Sequence, residues 1–257
     1  MMNLGLAGKV ALITGAGRGI GYADAQALGA EGATIVINEM DGEVAEQAVA
    51  HLKKTGVNAF FYLGDAADET VAKRTVDEVA GRFGRIDIMI NNAGIGVKPA
   101  YQVEEMPADA WDKMIHVHMK STFLWSREVI RHMKAGKFGR IINTSSMNFT
   151  GGGRPGVAHY SAAKAGIVGF TQTLAKEVGP FGITANAIAP GYVETDLIAQ
   201  FSDEMRERIC NQNPVRRTCM PSEVAALVTF LCSTQAAFIN GEHVCMDGGR
   251  RDFYWGN

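Results

Sequence analysis

Apolar residues fall into seven short runs separated by stretches of helical periodicity. Val10–Thr14 is apolar without alternation and stops at glycine, as expected of a strand buried on both faces. Thr34–Asn38, Ala59–Leu63, Ile86–Ile90, Ile141–Thr144, Ile183–Ile188 and Val244–Met246 repeat that pattern. Between the runs lie Tyr22–Glu31, Gly42–Lys54 with apolar positions at Val44, Ala45, Ala48, Val49 and Leu52, Glu69–Arg82, and a long helical region of roughly Pro107–Lys134. A helix carrying Tyr160 extends to about Val178, and a last one spans Ser222–Cys232 with Ser222 as its N-cap. Asp196–Met220 is polar and reads as an irregular, mobile flap. Strands alternating with helices predict an α/β fold: a single doubly wound, Rossmann-like domain over residues 1–257, with a seven-stranded parallel sheet and helices on both faces. Ligands of such a sheet sit at the carboxyl ends of its strands.

The residues at those ends belong to one cleft. Gly15, Gly19 and Gly21 follow the first strand and open a helix, the context in which glycines let backbone approach a pyrophosphate at a helix N-terminus. The common G-x-G-x-x-G needs glycine where Ile20 stands, and the pattern here is Thr14-Gly15-x-x-x-Gly19-x-Gly21. Glu39 closes the second strand, where a carboxylate suits ribose hydroxyls and repels a 2′-phosphate. NAD is therefore the preferred cofactor, and NADP stays open if Arg18 swings over to meet the phosphate. Asp65 and Ala66 follow the third strand, Asn91-Asn92-Ala93-Gly94 the fourth, Ser146 the fifth and Pro190-Gly191 the sixth.

Tyr160 and Lys164 stand four apart on a helix and so share a face. An ammonium beside a phenol favours the phenolate and lowers its pKa from about 10, which would let the phenol exchange a proton with an alcohol or ketone.

Composition narrows the setting. The chain has 257 residues, 47% hydrophobic and 20% charged, with net charge −2, which is ordinary for a globular protein with a large core. No basic run supports nucleic-acid binding, and no apolar run is long enough to span a membrane. Cys210, Cys219, Cys232 and Cys245 have no zinc spacing, and His116 and His118 are two apart on a helix and diverge, so no metal is expected. Met1–Lys9 lacks the features of a signal peptide, and a cytoplasmic protein is expected.

Taken in order, Thr14-Gly15-x-x-x-Gly19-x-Gly21, Asn91-Asn92-Ala93-Gly94, Ser146, Tyr160-x-x-x-Lys164, Pro190-Gly191 and Asp247-Gly248-Gly249 resemble the motifs of the short-chain dehydrogenase/reductase family over nearly the whole chain. The resemblance implies NAD(P)-dependent interconversion of a secondary alcohol and a ketone. It implies Tyr160 as acid/base, Lys164 lowering its pKa and holding the nicotinamide ribose, and Ser146 bonding the substrate oxygen. By the same resemblance Asp65 contacts adenine, Asn92 lies beside the adenosine ribose, and Val193 and Thr195 hold the nicotinamide carboxamide. Two departures stand out. The family's catalytic asparagine is replaced by His118 in Val117-His118-Met119, which is expected to serve in the proton relay as a neutral imidazole. The spacing of Ser146 and Tyr160 is a residue or two longer than is common, which the Gly151–Gly156 loop absorbs. Two alternatives accompany this reading. One is a reductase of 3-oxoacyl groups on acyl carrier protein, with Arg127, Arg131 and Lys134 as a docking patch, and the other a non-catalytic sensor that binds NAD(P). A homotetramer is expected, with the tail from Arg250 to Asn257, aromatic at Phe253, Tyr254 and Trp255, packed on a neighbouring subunit.

Overall fold

A computed structural model describes residues 3–151 and 153–250. The expected tail packing falls on residues 251–257 and lies outside the described residues. Seven strands, β1 (Val10–Thr14), β2 (Thr34–Glu39), β3 (Ala59–Leu63), β4 (Ile88–Asn91), β5 (Gly139–Thr144), β6 (Ile183–Pro190) and β7 (His243–Met246), form one sheet in the order β3-β2-β1-β4-β5-β6-β7. Every pairing is parallel. The chain winds outward from β1 to β3, then crosses back to lay β4 on the other side of β1, so the strand order reverses between β1 and β4 and opens a crevice there.

Ten helices are described: α1 (Gly19–Ala30), α2 (Gly42–Lys54), α3 (Glu69–Phe83), α4 (Ala108–Ile115), α5 (Ser121–Gly136), α6 (Asn148–Gly151), α7 (Ala158–Val178), α8 (Asp196–Ala199), α9 (Asp203–Gln212) and α10 (Pro221–Cys232). Successive strand residues point to opposite faces, so β1 divides its side chains between two cores. Ala11 and Ile13 join Leu28 of α1, Leu52 of α2 and Val228 of α10. Val10 and Leu12 join Val76 of α3, Trp125 of α5 and Leu174 of α7. Both faces are thus dry, which is why the strands read as unbroken apolar runs.

Four expectations change. β4 begins at Ile88 rather than Ile86, because buried Asp87 turns its carboxylate onto the Val10 N–H (2.9 Å) and Arg85 below the ladder. The long helix is interrupted by a π-turn, His116–Lys120, where the Ser121 N–H reaches back five residues to the His116 carbonyl. The segment expected to be irregular contains α8 and α9, the latter capped by Ser202 and acidic in its first turn. Finally, Ser222 lies inside the first turn of α10. Met220 is the N-cap, Pro221 occupies the first helical position, and Glu223 accepts the Met220 N–H at 2.8 Å.

Candidate active site

The cleft outside β1 and β4 is built from backbone held in unusual proximity. Gly15 adopts φ +60°, and a Cβ there would lie 2.9 Å from Ala93 Cα. A Cβ on Gly21 would lie 2.5 Å from Asn92 Nδ2. The Asn92 amide donates to the Thr14 and Gly15 carbonyls, while Thr14 Oγ1 accepts the N–H groups of Asn92 and Ala93. The glycine loop and Asn92-Ala93-Gly94 are therefore stapled together by side chains that the pattern of glycines alone does not explain.

α1 begins at this staple with Arg18 as N-cap, no side-chain cap and no acid in its first turn. By contrast Asp41 caps α2 and Asp68 caps α3. The amides of Gly19, Ile20 and Gly21 thus present the positive end of a helix to the cleft, as a pyrophosphate requires. A groove of about 330 Å³ runs from Gly17, Arg18 and Gly19 past Tyr22, Val44 and His51 to Asp196. At its edge the Glu39 carboxylate accepts the N–H groups of Gly17 (3.1 Å) and Met40 (2.9 Å). Asp65 Oδ1 accepts the Ala67 N–H, and the Ala66 carbonyl accepts from Trp125 Nε1, both at 2.8 Å. Thr195, the N-cap of α8, faces the loop, its methyl 3.5 Å from where a Gly19 Cβ would be. Val193 is buried and bridges to Cys219, beyond Pro190-Gly191. The cradle that Cβ atoms would fill and the uncapped helix end fit a dinucleotide.

Across the cleft, Ser146 follows β5 while Tyr160 and Lys164 lie one turn apart on α7. Lys164 is buried, and its Nζ donates to the Thr144 carbonyl at 2.7 Å. Its own carbonyl accepts from Ser145 Oγ at 2.8 Å, so α7 is pinned to the end of β5 twice over. Burial brings the Lys164 ammonium down from 10.5 to about 7. Burial also raises the Tyr160 phenol, against the lowering effect of its hydrogen bond with Ser146, while the neighbouring phenol of Tyr192 raises it further. The expectation that Lys164 lowers the phenol's pKa is thus corrected. Lys164 Nζ is 5.6 Å from the Tyr160 ring centroid, and burial is the largest effect on the phenol.

His118 sits in the π-turn, 2% exposed, with its ring edge-on to Tyr160 at 5.3 Å between centroids. Its Nε2 bonds the Ile95 backbone, donating to the carbonyl (3.1 Å) or accepting from the N–H (3.3 Å) according to tautomer. Nδ1 is buried with no hydrogen-bond partner among the described residues. Desolvation, then Lys164 and His159, holds the imidazole well below 6.5 despite the opposing Ile95 bond. The neutral form is as expected, but the ring's described hydrogen bonds go to Ile95 rather than to Lys164. Its π-turn has a local cause: Ser121 Oγ donates to the Val117 carbonyl and Thr122 Oγ1 to that of His118, drawing backbone acceptors out of the regular ladder. A bulkier side chain at Gly94 would collide with it, since a Cβ there would lie 2.5 Å from the ring.

Among the described residues no cluster of three or more potential ligands could hold a metal, and no helix is long and apolar enough to cross a membrane. Tyr192 also acts on Tyr160 and was not singled out from the sequence.

A family model described as enoyl-(acyl carrier protein) reductase matches residues 15–251. The chain is 38% identical over 250 residues to the 3-oxoacyl-[acyl-carrier-protein] reductase FabG of Aquifex aeolicus, covering 96% of this chain and 99% of that one. A solved short-chain dehydrogenase/reductase from Serratia marcescens superimposes with a TM-score of 0.90 at 32% identity, over 96% and 99% of the two chains. The chain belongs to the short-chain dehydrogenase/reductase family. As a member it is an oxidoreductase. A further short-chain dehydrogenase/reductase-like neighbour, the NAD⁺-bound xylitol dehydrogenase, matches with a TM-score of 0.88 at 32% identity over 95% and 99% of the chains.

Proposed function

We propose that this oxidoreductase interconverts a secondary alcohol and a ketone with NAD, using Tyr160 as acid/base. The observation that carries the reading is the convergence of Ser146, Tyr160 and buried Lys164 at strand ends facing the uncapped α1 N-terminus. The dinucleotide, when bound, supplies the hydride chemistry. The amides of Gly19 to Gly21 hold its pyrophosphate, Asn92 and Asp65 border its adenosine end, and Val193 and Thr195 border the nicotinamide. Tyr160 passes a proton to or from the substrate oxygen, and Ser146 donates to the same oxygen as charge develops there. Lys164 titrates near neutrality and holds the proton at the base of α7. His118 orients the Ile95 segment through Nε2 and offers Nδ1 to the proton relay.

His118 yields a pH signature. With the natural residue, kcat/KM should decline on the acid side, well below the ordinary imidazole range, as the ring protonates. His118→Asn should keep substantial activity without that limb, and His118→Ala should be slow at every pH. Three superimposable profiles would end the relay.

The NAD preference rests on Glu39, whose carboxylate is fixed at the groove edge by Gly17 and Met40. A 2′-phosphate there would meet a fixed negative charge. Screening secondary alcohols and ketones with both cofactors should return a higher kcat/KM for NAD. A clear NADPH preference would overturn this and assign the phosphate to Arg18, which is exposed at the groove.

The second enzyme reading, 3-oxoacyl groups on acyl carrier protein, draws on relatives such as FabG. Its docking patch is weakened by local pairing. Arg127 bonds Glu69 and Glu128, Arg131 bonds Asp77 and Glu128, and Lys134 lies over the Phe181 ring. A sensor without turnover has no support from a missing group, since Ser146, Tyr160 and Lys164 are all in place. The proposed setting is the cytoplasm, in keeping with the reduced thiols of Cys210, Cys219 and Cys232. The proposed assembly is a homotetramer, with the exposed Phe123 of α5 and Phe170 of α7 in edge contact on an outer face, to be checked by mass in solution.

A further inference from the structure

Beyond Pro190-Gly191 the chain leaves the sheet for an excursion that carries α8 and α9 and returns at Cys219. Its stem is closed by backbone: Cys219 donates its N–H to the Tyr192 carbonyl, and its own carbonyl accepts the Glu194 N–H, both at 2.8 Å. The returning limb is anchored to the body of the domain. There Arg217 forks onto both oxygens of Glu223, in the first turn of α10, at 2.6 and 2.7 Å. At the same level the Glu194 carboxylate turns both of its oxygens to the excursion. Oε1 accepts from Arg206 Nη2 of α9 at 2.6 Å, and Oε2 accepts from Thr218 Oγ1 at 2.8 Å. One carboxylate thus joins the outgoing limb, the anchored returning limb and a helix between them. The far end of α9 is held separately, by Arg250 Nη2 donating to Gln212 Oε1 at 2.8 Å. The same guanidinium lies over the Tyr192 ring, with Cζ 5.0 Å from the centroid.

Glu194 works from behind the cleft rather than in it. Thr195 is extended (φ −134°, ψ 171°), so its side chain and that of Glu194 point to opposite sides of the chain. Thr195 turns to the glycine loop, its methyl 3.5 Å from where a Gly19 Cβ would stand. Just past α8 the excursion meets the loop after β4, where Lys98 Nζ reaches Gln200 Oε1 at 3.5 Å. The excursion therefore roofs the cleft from the glycine loop to the opposite wall. An exposed ion pair is worth little by itself. This one is only 37% and 30% exposed at its two side chains, and its carboxylate takes a second charge-assisted bond from an anchored limb. We propose that Glu194 is a positioning residue for the dinucleotide. Its clamp on Arg206 and Thr218 holds Thr195 and the roof of α8 and α9 over the nicotinamide half of NAD. This rests on the reading that Thr195 borders the nicotinamide.

Paired titrations with NAD and with ADP-ribose, which lacks the nicotinamide, test it by quenching of protein fluorescence. In Glu194→Ala the backbone bonds of the stem remain, and melting curves should show a folded protein. Its Kd for NAD should rise about tenfold, as the loss of charge-assisted bonds warrants, while that for ADP-ribose changes by less than about twofold. KM for NAD should follow its Kd, with kcat at saturating NAD changed far less. Glu194→Gln keeps one acceptor oxygen and should recover part of the loss. Adding Arg206→Ala to Glu194→Ala should weaken NAD no further, since both act through one contact. Equal weakening of the two ligands would mean a merely structural role and overturns the proposal. So does an unchanged Kd for NAD in Glu194→Ala, or losses that add in the double variant. Thr195→Val separates the clamp from the reading beneath it. If Thr195→Val binds NAD normally while Glu194→Ala loses NAD selectively, the clamp stands and the contact assigned to Thr195 falls. If Thr195→Val loses NAD selectively and Glu194→Ala does not, that contact stands and the clamp is overturned.

Discussion

Tyr160→Phe should lower kcat for alcohol oxidation by roughly 10²–10⁴-fold, the usual contribution of a positioned acid/base. It should leave the melting temperature within a few degrees. The ring stays, so its edge contact with His118 and its packing on α7 survive. What disappears is the hydroxyl that bonds Ser146, and Ser146 Oγ still accepts the Asn148 N–H at 3.3 Å. The loss should therefore appear in kcat far more than in cofactor binding, measured by quenching of protein fluorescence on NAD addition. Because burial holds the phenol above its ordinary pKa, oxidation by the natural enzyme should speed up as pH rises and the phenolate fraction grows. Reduction of the ketone uses the phenol and should show the opposite limb. A Tyr160→Phe enzyme with undiminished kcat would remove Tyr160 from the chemistry.

The sheet was legible because both of its faces are buried. Val10–Thr14 alternates between two cores, so every residue had to be apolar or small, and the run announced itself. The glycine loop was legible for a related reason: at Gly15 and Gly21 no side chain fits, whatever the neighbours are. The π-turn was not legible, since His116–Lys120 has unremarkable helical residues and its cause is two hydroxyls competing for carbonyls one turn away. α9 carried a usable signal in Ser202-Asp203-Glu204, which the surrounding polarity outweighed. Tyr192 and Arg250 could not have been paired from spacing, as they lie 58 residues apart and meet only because β6 and β7 are neighbours. The electrostatic sign at Tyr160 was misread for a physical reason. Helical spacing shows that a cation is near, but not how far each group is withdrawn from water, and here burial is the largest effect on each.

That burial makes Lys164 the residue at which stability and activity oppose each other. In Lys164→Met an unbranched apolar chain of similar length fills the same space, catalysis should fall by at least about 10²-fold, and the fold should become more stable at pH 6. In the natural protein the ammonium has its pKa lowered from 10.5 to about 7, so the unfolded chain binds the proton more tightly than the folded one. Stability from this group is whole only above 10.5, declines as pH falls from there, and is fully lost below 7. At about 1.4 kcal/mol per pKa unit, the charge costs the folded state about 5 kcal/mol below pH 7. Against this, methionine cannot donate to the Thr144 carbonyl, and a buried acceptor left without its donor costs about 1–3 kcal/mol. The balance favours Lys164→Met by about 2–4 kcal/mol at pH 6. The advantage should shrink steadily between pH 7 and 10.5 and reverse near the top of that range, where only the missing hydrogen bond counts. Urea unfolding of both proteins from pH 6 to 10 measures it directly. A Lys164→Met protein less stable than the natural one at pH 6, or a difference that does not change with pH, would show that Lys164 keeps its ordinary affinity for the proton.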